Sequence, residues 1–212
     1  MPRAVFLDRD GTVSEEIGYI GPEAMHKYAL IPGAAEGIRA LRQAGYLAVL
    51  VTNQSGVARG YYAESQVHAV HARLAELLAA QGTALDSVRY CPHHPDPLSA
   101  PDNGEMAPGM SRAEPLPELA VDCACRKPKP GMVLDAARSL GIDLAQSWVV
   151  GDKAADMGLA ANAGCRGILV LTGYGVSTLA KMRAQGREPA LVARDLAHAA
   201  ELILAQDRED AR

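Results

Sequence analysis

Asp8 and Asp10 stand two residues apart in the run Asp8-Arg9-Asp10-Gly11-Thr12, directly after the apolar stretch Ala4-Val5-Phe6-Leu7. Two carboxylates so spaced can divide the work of phosphoryl transfer. An ionised Asp8 beside a divalent cation can attack phosphorus and form an aspartyl-phosphate. Asp10, displaced by a turn at Gly11, can protonate the leaving oxygen and later activate water. Other apolar stretches end in groups that this chemistry needs. Thr52-Asn53-Gln54-Ser55-Gly56 offers the Thr52 hydroxyl and the Asn53 backbone N–H to phosphoryl oxygens. Gly151-Asp152-Lys153 adds a second carboxylate for a hard cation such as Mg²⁺. Arg126-Lys127-Pro128 supplies positive charge for the spreading transition state. Each group alone reads as a turn or a helix cap. In this order, at successive strand ends, they read as one phosphotransfer site.

The elements that must position these groups alternate along the chain. Strands are expected at Ala4–Leu7, Tyr46–Val51, Val88–Tyr90, Trp148–Val150, Gly167–Leu171 and Leu191–Val192. Helices are expected at Ala34–Ala44, Ala63–Gln81, Met132–Leu140, Met157–Ala163 and from Asp195 onward, with Gly45 and Gly82 as terminators. Strands separated by helices predict a doubly wound α/β parallel sheet whose ligands bind beyond the carboxyl ends of the strands. A length of 212 residues fits one domain, 1–212. Pro95–Asp122 holds six of the 13 prolines and breaks the rhythm, so it reads as a long loop insertion. Gln206–Arg212 reads as a frayed charged tail.

Cys91, Cys123 and Cys125 lie near His93 and His94, whereas Cys165 has no such company and reads as a small core residue. Cys91-x-His93 and Cys123-x-Cys125 form two half-sites of the kind that bind structural zinc, although 29 residues separate His93 from Cys123. That long spacing alone leaves zinc undecided. A metal there would fasten a loop with no core of its own and would steady Arg126 and Lys127. His68 and His71, one helical turn apart, read as helix-surface residues.

The formal charge is −4 with scattered basic residues, which argues against a footprint for nucleic acid or an anionic membrane. The most apolar run, Tyr46–Val51, is too short to span a bilayer, and the opening residues carry no signal-peptide pattern. The expectation is a cytoplasmic protein. With 49% hydrophobic residues but only nine aromatics, Ala, Leu and Val must fill the core.

The run Phe6-Leu7-Asp8-Arg9-Asp10-Gly11-Thr12, with Thr52-Asn53, Lys127 and Gly151-Asp152, resembles the four motifs of the haloacid dehalogenase superfamily. Within it, Thr52-Asn53-Gln54-Ser55-Gly56-Val57-Ala58-Arg59-Gly60, Cys91-Pro92-His93-His94-Pro95 and Cys125-Arg126-Lys127-Pro128 are similar to the heptose-bisphosphate phosphatase family. The likeness spans about residues 4 to 175. It implies a Rossmann-like core with a minimal cap, Mg²⁺, a structural zinc, and a sugar bisphosphate that loses its 7-phosphate on the way to nucleotide-activated heptose.

By position, the resemblance implies Asp8 as nucleophile and Mg²⁺ ligand. Asp10 would be the proton donor, touching the metal through its backbone. Asp152 would complete the protein ligands, with Lys153 adjacent and Asp156 orienting its neighbours. Glu16, Ile17, Gly18 and Tyr19 match one substrate-contacting segment, and Thr52, Asn53, Gln54 and Ser55 match a second. Arg126 matches a specificity cation, and Thr52 and Lys127 match groups that stabilise the phosphoryl. The zinc set would be Cys91, His93, Cys123 and Cys125, with His93 taken over His94. The loop Pro95–Asp122 is longer than in many members. Its Met106, Met110, Leu116 and Leu119 could pack over the site or against a neighbour, and Asp102, Glu105 and Glu114 read as solvated. Two other readings stay open: a histidinol-phosphate phosphatase, whose related family shares these motifs, and a zinc-bearing binding module without turnover. A monomer is the default.

Overall fold

The structure is a computed structural model that describes residues 1–16, 25–99 and 114–210. Its layering follows from the first strand, β1 (Arg3–Leu7). Val5 and Leu7 face one side of the sheet and Ala4 and Phe6 the other, all four fully buried. A strand with no solvated face needs cover on both sides, as parallel sheets do. The remaining elements supply it: α1 (Ala34–Gln43), β2 (Tyr46–Asn53), α2 (Glu64–Ala80), β3 (Ser87–Cys91), α3 (Gly131–Leu140), β4 (Trp148–Gly151), α4 (Ala154–Ala163), β5 (Arg166–Val170), α5 (Gly175–Ala184), β6 (Leu191–Ala193) and α6 (Leu196–Asp210).

The sheet is parallel throughout, in the order β3-β2-β1-β4-β5-β6. On one face Ile38 and Leu41 of α1, Leu74 and Leu78 of α2 and Leu196 and Ile203 of α6 pack on Val5, Leu7 and Leu50. On the other, Met132 and Val133 of α3 and Leu159 of α4 pack on Phe6, Val49 and Val149. The strand order reverses between β1 and β4, and at such a switch point the two adjoining loops diverge and leave a crevice. Asp8 and Asp152 follow those two strands directly. No helix among the described residues is long and apolar enough to cross a membrane.

Two elements differ from expectation. Helix α5 was not expected, because it buries only Gly175, Thr178 and Met182 and so carries no apolar stripe. The tail is not frayed, since α6 continues to Asp210. Its acidic residues have partners: Asp207 accepts a hydrogen bond from the Tyr46 hydroxyl at 2.8 Å and pairs with Arg3 at 2.9 Å, and Asp210 pairs with Arg166 at 2.9 Å. Residues 211 and 212 lie outside the described residues. If α6 is docked as described, Ile203→Ala should cost about 2–5 kcal/mol in denaturant unfolding. A loss below about 0.5 kcal/mol, the size of a surface change, would contradict that docking.

Candidate active site

The sheet ladder extends one residue past β1, because the Asp8 N–H donates to the Val150 carbonyl at 3.0 Å. The chain then turns sharply. The N–H groups of Val13 and Ser14 both donate to the Arg9 carbonyl at 2.9 Å. Gly11 sits at φ 83°, a conformation open to glycine, and a Cβ there would overlap the Asp152 carboxylate. The turn thus lets β1 and β4 bring two acids together.

Lys127 is 5% exposed and reaches both Asp8 Oδ1 at 2.8 Å and Asp156 Oδ1 at 2.7 Å. Burial opposes its charge, but the Asp156 and Asp8 carboxylates outweigh that and raise its pKa, so it stays an ammonium. Asp156 uses its second oxygen to accept from the Lys153 N–H at 3.0 Å, which leaves it holding Lys127 and the start of α4. Asp8 Oδ1 also accepts from the Arg9 N–H at 2.7 Å, so both hydrogen bonds load one oxygen and Oδ2 carries neither. Asn53 fastens the lysine loop to β2. Its Oδ1 accepts from the Lys127 N–H at 3.0 Å, and its Nδ2 donates to the Lys127 carbonyl at 3.2 Å.

Asp152 Oδ2 accepts from the Tyr174 N–H at 2.8 Å, but Oδ1 is buried with no hydrogen-bond partner. Burial, and after it the Asp8 charge, pushes this carboxyl up to about 7. Oxygens of Asp8, Asp152 and Asp156 lie within 4.8 Å of one another. An orphaned oxygen beside a second carboxylate fits a hard divalent cation. Because Asp156 is already engaged, Asp8 and Asp152 are the pair left to hold it. The proton that Asp152 keeps when folded, but loses near pH 4 when unfolded, makes cation-free stability fall as pH rises from about 4 to about 7. A cation replaces that proton. Mg²⁺ should therefore raise Tm more near pH 8 than near pH 5.5 in thermal melts; equal shifts would contradict a cation on Asp152.

Asp10 is gripped on both oxygens. Arg9 donates from Nε at 3.0 Å and from Nη2 at 2.8 Å, and Gln54 Nε2 donates at 3.0 Å. Burial opposes ionisation of Asp10, yet the Arg9 guanidinium holds its carboxyl below the usual range. Behind Arg9, 1% exposed, lies His71 with Nε2 at 3.4 Å from Nη1. Burial, then the Arg9 charge, lowers His71 to about 4, so it accepts as a neutral ring. The expected surface pair is thus split: His68 is exposed, whereas His71 leans inward behind the acid.

Cys91 Sγ lies 3.4 Å from Cys123 Sγ and 3.2 Å from Cys125 Sγ, and the latter two are 3.2 Å apart. His93 Nδ1 completes the cluster at 3.3 Å from Cys125 and 3.6 Å from Cys91. All the cysteines are free thiols. Four atoms so spaced surround a point about 2 Å from each, near Zn–N and Zn–S bond lengths, so a zinc ion fits. His94 turns away, with Nε2 at 3.0 Å from Arg59 Nη2. The cluster touches the acid site through Cys91, whose carbonyl accepts the Gln54 N–H at 2.7 Å. Arg126, next to Cys125, donates to the His93 carbonyl at 3.5 Å. Cys165 is partly buried against the second core layer.

Of the other expected contacts, Glu16 meets Lys153 at 3.3 Å, and Ser55 opens the turn after β2, its carbonyl accepting the Arg59 N–H at 3.0 Å. The Gln54 side chain points inward rather than to the rim, at 2% exposure. Glu114 and Leu116 are exposed and Leu119 is partly so. Ile17, Gly18, Tyr19, Asp102, Glu105, Met106 and Met110 lie outside the described residues. Arg9, His71 and Tyr62 were missed. The only sequence signal for Arg9 was a cation set between two acids, and His71 and Tyr62 belong to no motif.

A parallel sheet that gathers acids and a lysine at its switch point defines a hydrolase of the haloacid dehalogenase class. A family model described as HAD-hydrolase-like matches residues 124–199. The D-glycero-D-manno-heptose-1,7-bisphosphate 7-phosphatase of Thermosynechococcus vestitus is 46% identical over 205 residues, 96% of this chain and 96% of its own. The D-glycero-beta-D-manno-heptose-1,7-bisphosphate 7-phosphatase of Yersinia pestis is 42% identical, over 82% of this chain and 83% of its own. The crystal structure of the D,D-heptose 1,7-bisphosphate phosphatase from B. bronchiseptica, complexed with magnesium and phosphate, aligns with a TM-score of 0.73 at 36% identity, covering 96% of this chain and 99% of that one. The chain belongs to the heptose-1,7-bisphosphate 7-phosphatase family.

Proposed function

We propose that this protein removes the 7-phosphate of D-glycero-D-manno-heptose 1,7-bisphosphate by way of an aspartyl-phosphate on Asp8. The observation that carries the reading is the Asp8 carboxylate, pinned through Oδ1 by Lys127 and Arg9 N–H with Oδ2 carrying no such bond. Family membership supports the substrate.

In this reading Asp10 first takes up a proton against the pull of Arg9 as the anionic substrate binds, Asp8 Oδ2 attacks phosphorus, and Asp10 gives that proton to the departing sugar oxygen. Asp10 then takes a proton from water as it attacks phosphorus, which restores Asp8. Lys127 and the Thr52 hydroxyl stabilise charge on the phosphoryl oxygens. Asp8, Asp152 and the Asp10 carbonyl would hold Mg²⁺, with Lys153 beside them; the ion supplies positive charge that keeps Asp8 ionised and neutralises phosphate. Glu16, Ile17, Gly18, Tyr19, Asn53, Gln54, Ser55 and Arg126 form the substrate side, with Gln54 acting through its neighbours. Residues 1–212 are read as a single domain with a minimal cap and a long loop insertion at about 95–122, monomeric and cytoplasmic, where a charged sugar bisphosphate would be retained.

The test is phosphate release from both heptose bisphosphate anomers, with histidinol phosphate as competitor. Asp8→Asn should abolish release, and heptose bisphosphate should be the preferred substrate. Release that survives Asp8→Asn would refute the nucleophile, and faster turnover of histidinol phosphate would refute the substrate.

Cys91, His93, Cys123 and Cys125 are proposed to hold a structural zinc. Protein purified without added metal should contain about one zinc per chain. Cys123→Ser should lose the metal and lower kcat as Lys127 loses its anchor. Metal analysis finding no zinc in the active wild-type protein would remove the clamp.

A further inference from the structure

Tyr62 belongs to no motif, yet its hydroxyl ends a chain of polar contacts that begins at the reacting groups. The hydroxyl donates to Gln54 Oε1 at 3.1 Å. The other end of that amide, Nε2, donates to Asp10 Oδ2 at 3.0 Å and to Thr52 Oγ1 at 2.9 Å. An amide nitrogen has two hydrogens and an amide oxygen accepts, so these three contacts use both donors and one lone pair of Gln54 and fit a single orientation. The geometry points to Tyr62 as a positioning residue: it fixes the Gln54 amide so that Asp10 and Thr52 are both held from behind, leaving the Thr52 hydroxyl hydrogen to face the phosphoryl group. The inference rests on the phosphatase reading above.

The consequence for Thr52 follows from counting. A threonine hydroxyl has one hydrogen to give. With Oγ1 accepting from Gln54, that hydrogen has no inward acceptor in this contact and is available to a phosphoryl oxygen. Were the amide reversed, Oε1 would face Thr52 and take the hydrogen itself. The same reversal would set Oε1 against the Asp10 carboxylate, an acceptor facing an acceptor.

The surroundings are built to keep Tyr62 in place. A Cβ on Gly56 would overlap the Tyr62 ring, so glycine at that position is what lets the ring approach. Burial raises the phenol above its ordinary range, so the group remains a donor at working pH. Tyr62 also packs against the core layer that holds Val70 and Leu74, which carries the constraint into the body of α2.

The test compares wild type, Tyr62→Phe, Gln54→Glu and the double variant for release of phosphate from D-glycero-D-manno-heptose 1,7-bisphosphate with Mg²⁺. Tyr62→Phe keeps the ring and removes only the hydroxyl, and a melt checks that it folds. Loss of one oriented hydrogen bond should lower kcat about tenfold, with KM moving less than about threefold. Gln54→Glu keeps the acceptor for Tyr62 but loses both donors, and should lose more. Because Tyr62 acts only through those donors, adding Tyr62→Phe to Gln54→Glu should change kcat by less than about twofold. A folded Tyr62→Phe within about twofold of wild-type kcat, or losses that multiply in the double variant, would overturn the inference while leaving the phosphatase reading intact. A wild type that releases no phosphate from heptose 1,7-bisphosphate would overturn both. Should Tyr62→Phe fail to fold, Gln54→Glu with undiminished kcat would overturn it.

Discussion

Asp8, Asp152 and Asp156 are each no more than 3% exposed, and their oxygens lie within 4.8 Å of one another. Two like charges at about 4 Å repel by roughly 4 kcal/mol even at an effective dielectric of 20. Three such acids can stay ionised together only if cations stand between them. Lys127 bridges Asp8 and Asp156, and the charge of Lys153 acts on Asp8 and Asp152 without direct contact. Among the described residues Asp152 makes no direct ion pair, and its buried, unpaired Oδ1 marks where a further positive charge belongs. Removing one member of such a buried cluster costs more than any pair contributes, commonly about 3–5 kcal/mol.

Much of the surrounding architecture serves this concentration of charge. Reversal of strand order between β1 and β4 sets Asp8 and Asp152 side by side, and the tight turn at Gly11 admits the second acid. Lys127 comes from a segment without regular secondary structure, so its position depends on tethers. The reciprocal Asn53 pair is one of these. The thiol and imidazole cluster, which joins the end of β3 to Cys123 and Cys125, is another. A lysine that is nearly inaccessible yet carried on a loop needs such fastening, because its loop contributes little apolar burial.

Most of this was legible in the sequence, for a physical reason. Strands buried on both faces appear as short apolar runs, and the polar residues that follow them mark the rim where a parallel sheet binds ligands. Asp8, Thr52 and Asp152 could therefore be placed together before any coordinates, while Lys127, which follows no strand, was joined to them by its charge and its motif. What escaped notice depends on contacts between distant residues. Helix α5 lacks an apolar stripe, and the charges of the last helix looked solvated because Arg3, Tyr46 and Arg166 are remote in sequence. His71 looked like a surface histidine because nothing local reveals Arg9 behind it. The Gln54 side chain, read as a ligand contact, faces inward because Asp10, Thr52 and Tyr62 together satisfy its amide.

The central claim is that Asp8 itself bonds to phosphorus. Two successive in-line displacements, first by Asp8 and then by water, each invert the phosphorus centre and together restore it. Hydrolysis of a phosphorothioate ester made chiral with oxygen isotopes, run in isotopically labelled water, reads the outcome in the configuration of the released thiophosphate. The account predicts net retention. Net inversion would mean that water attacks directly, and that Asp8 is not the nucleophile.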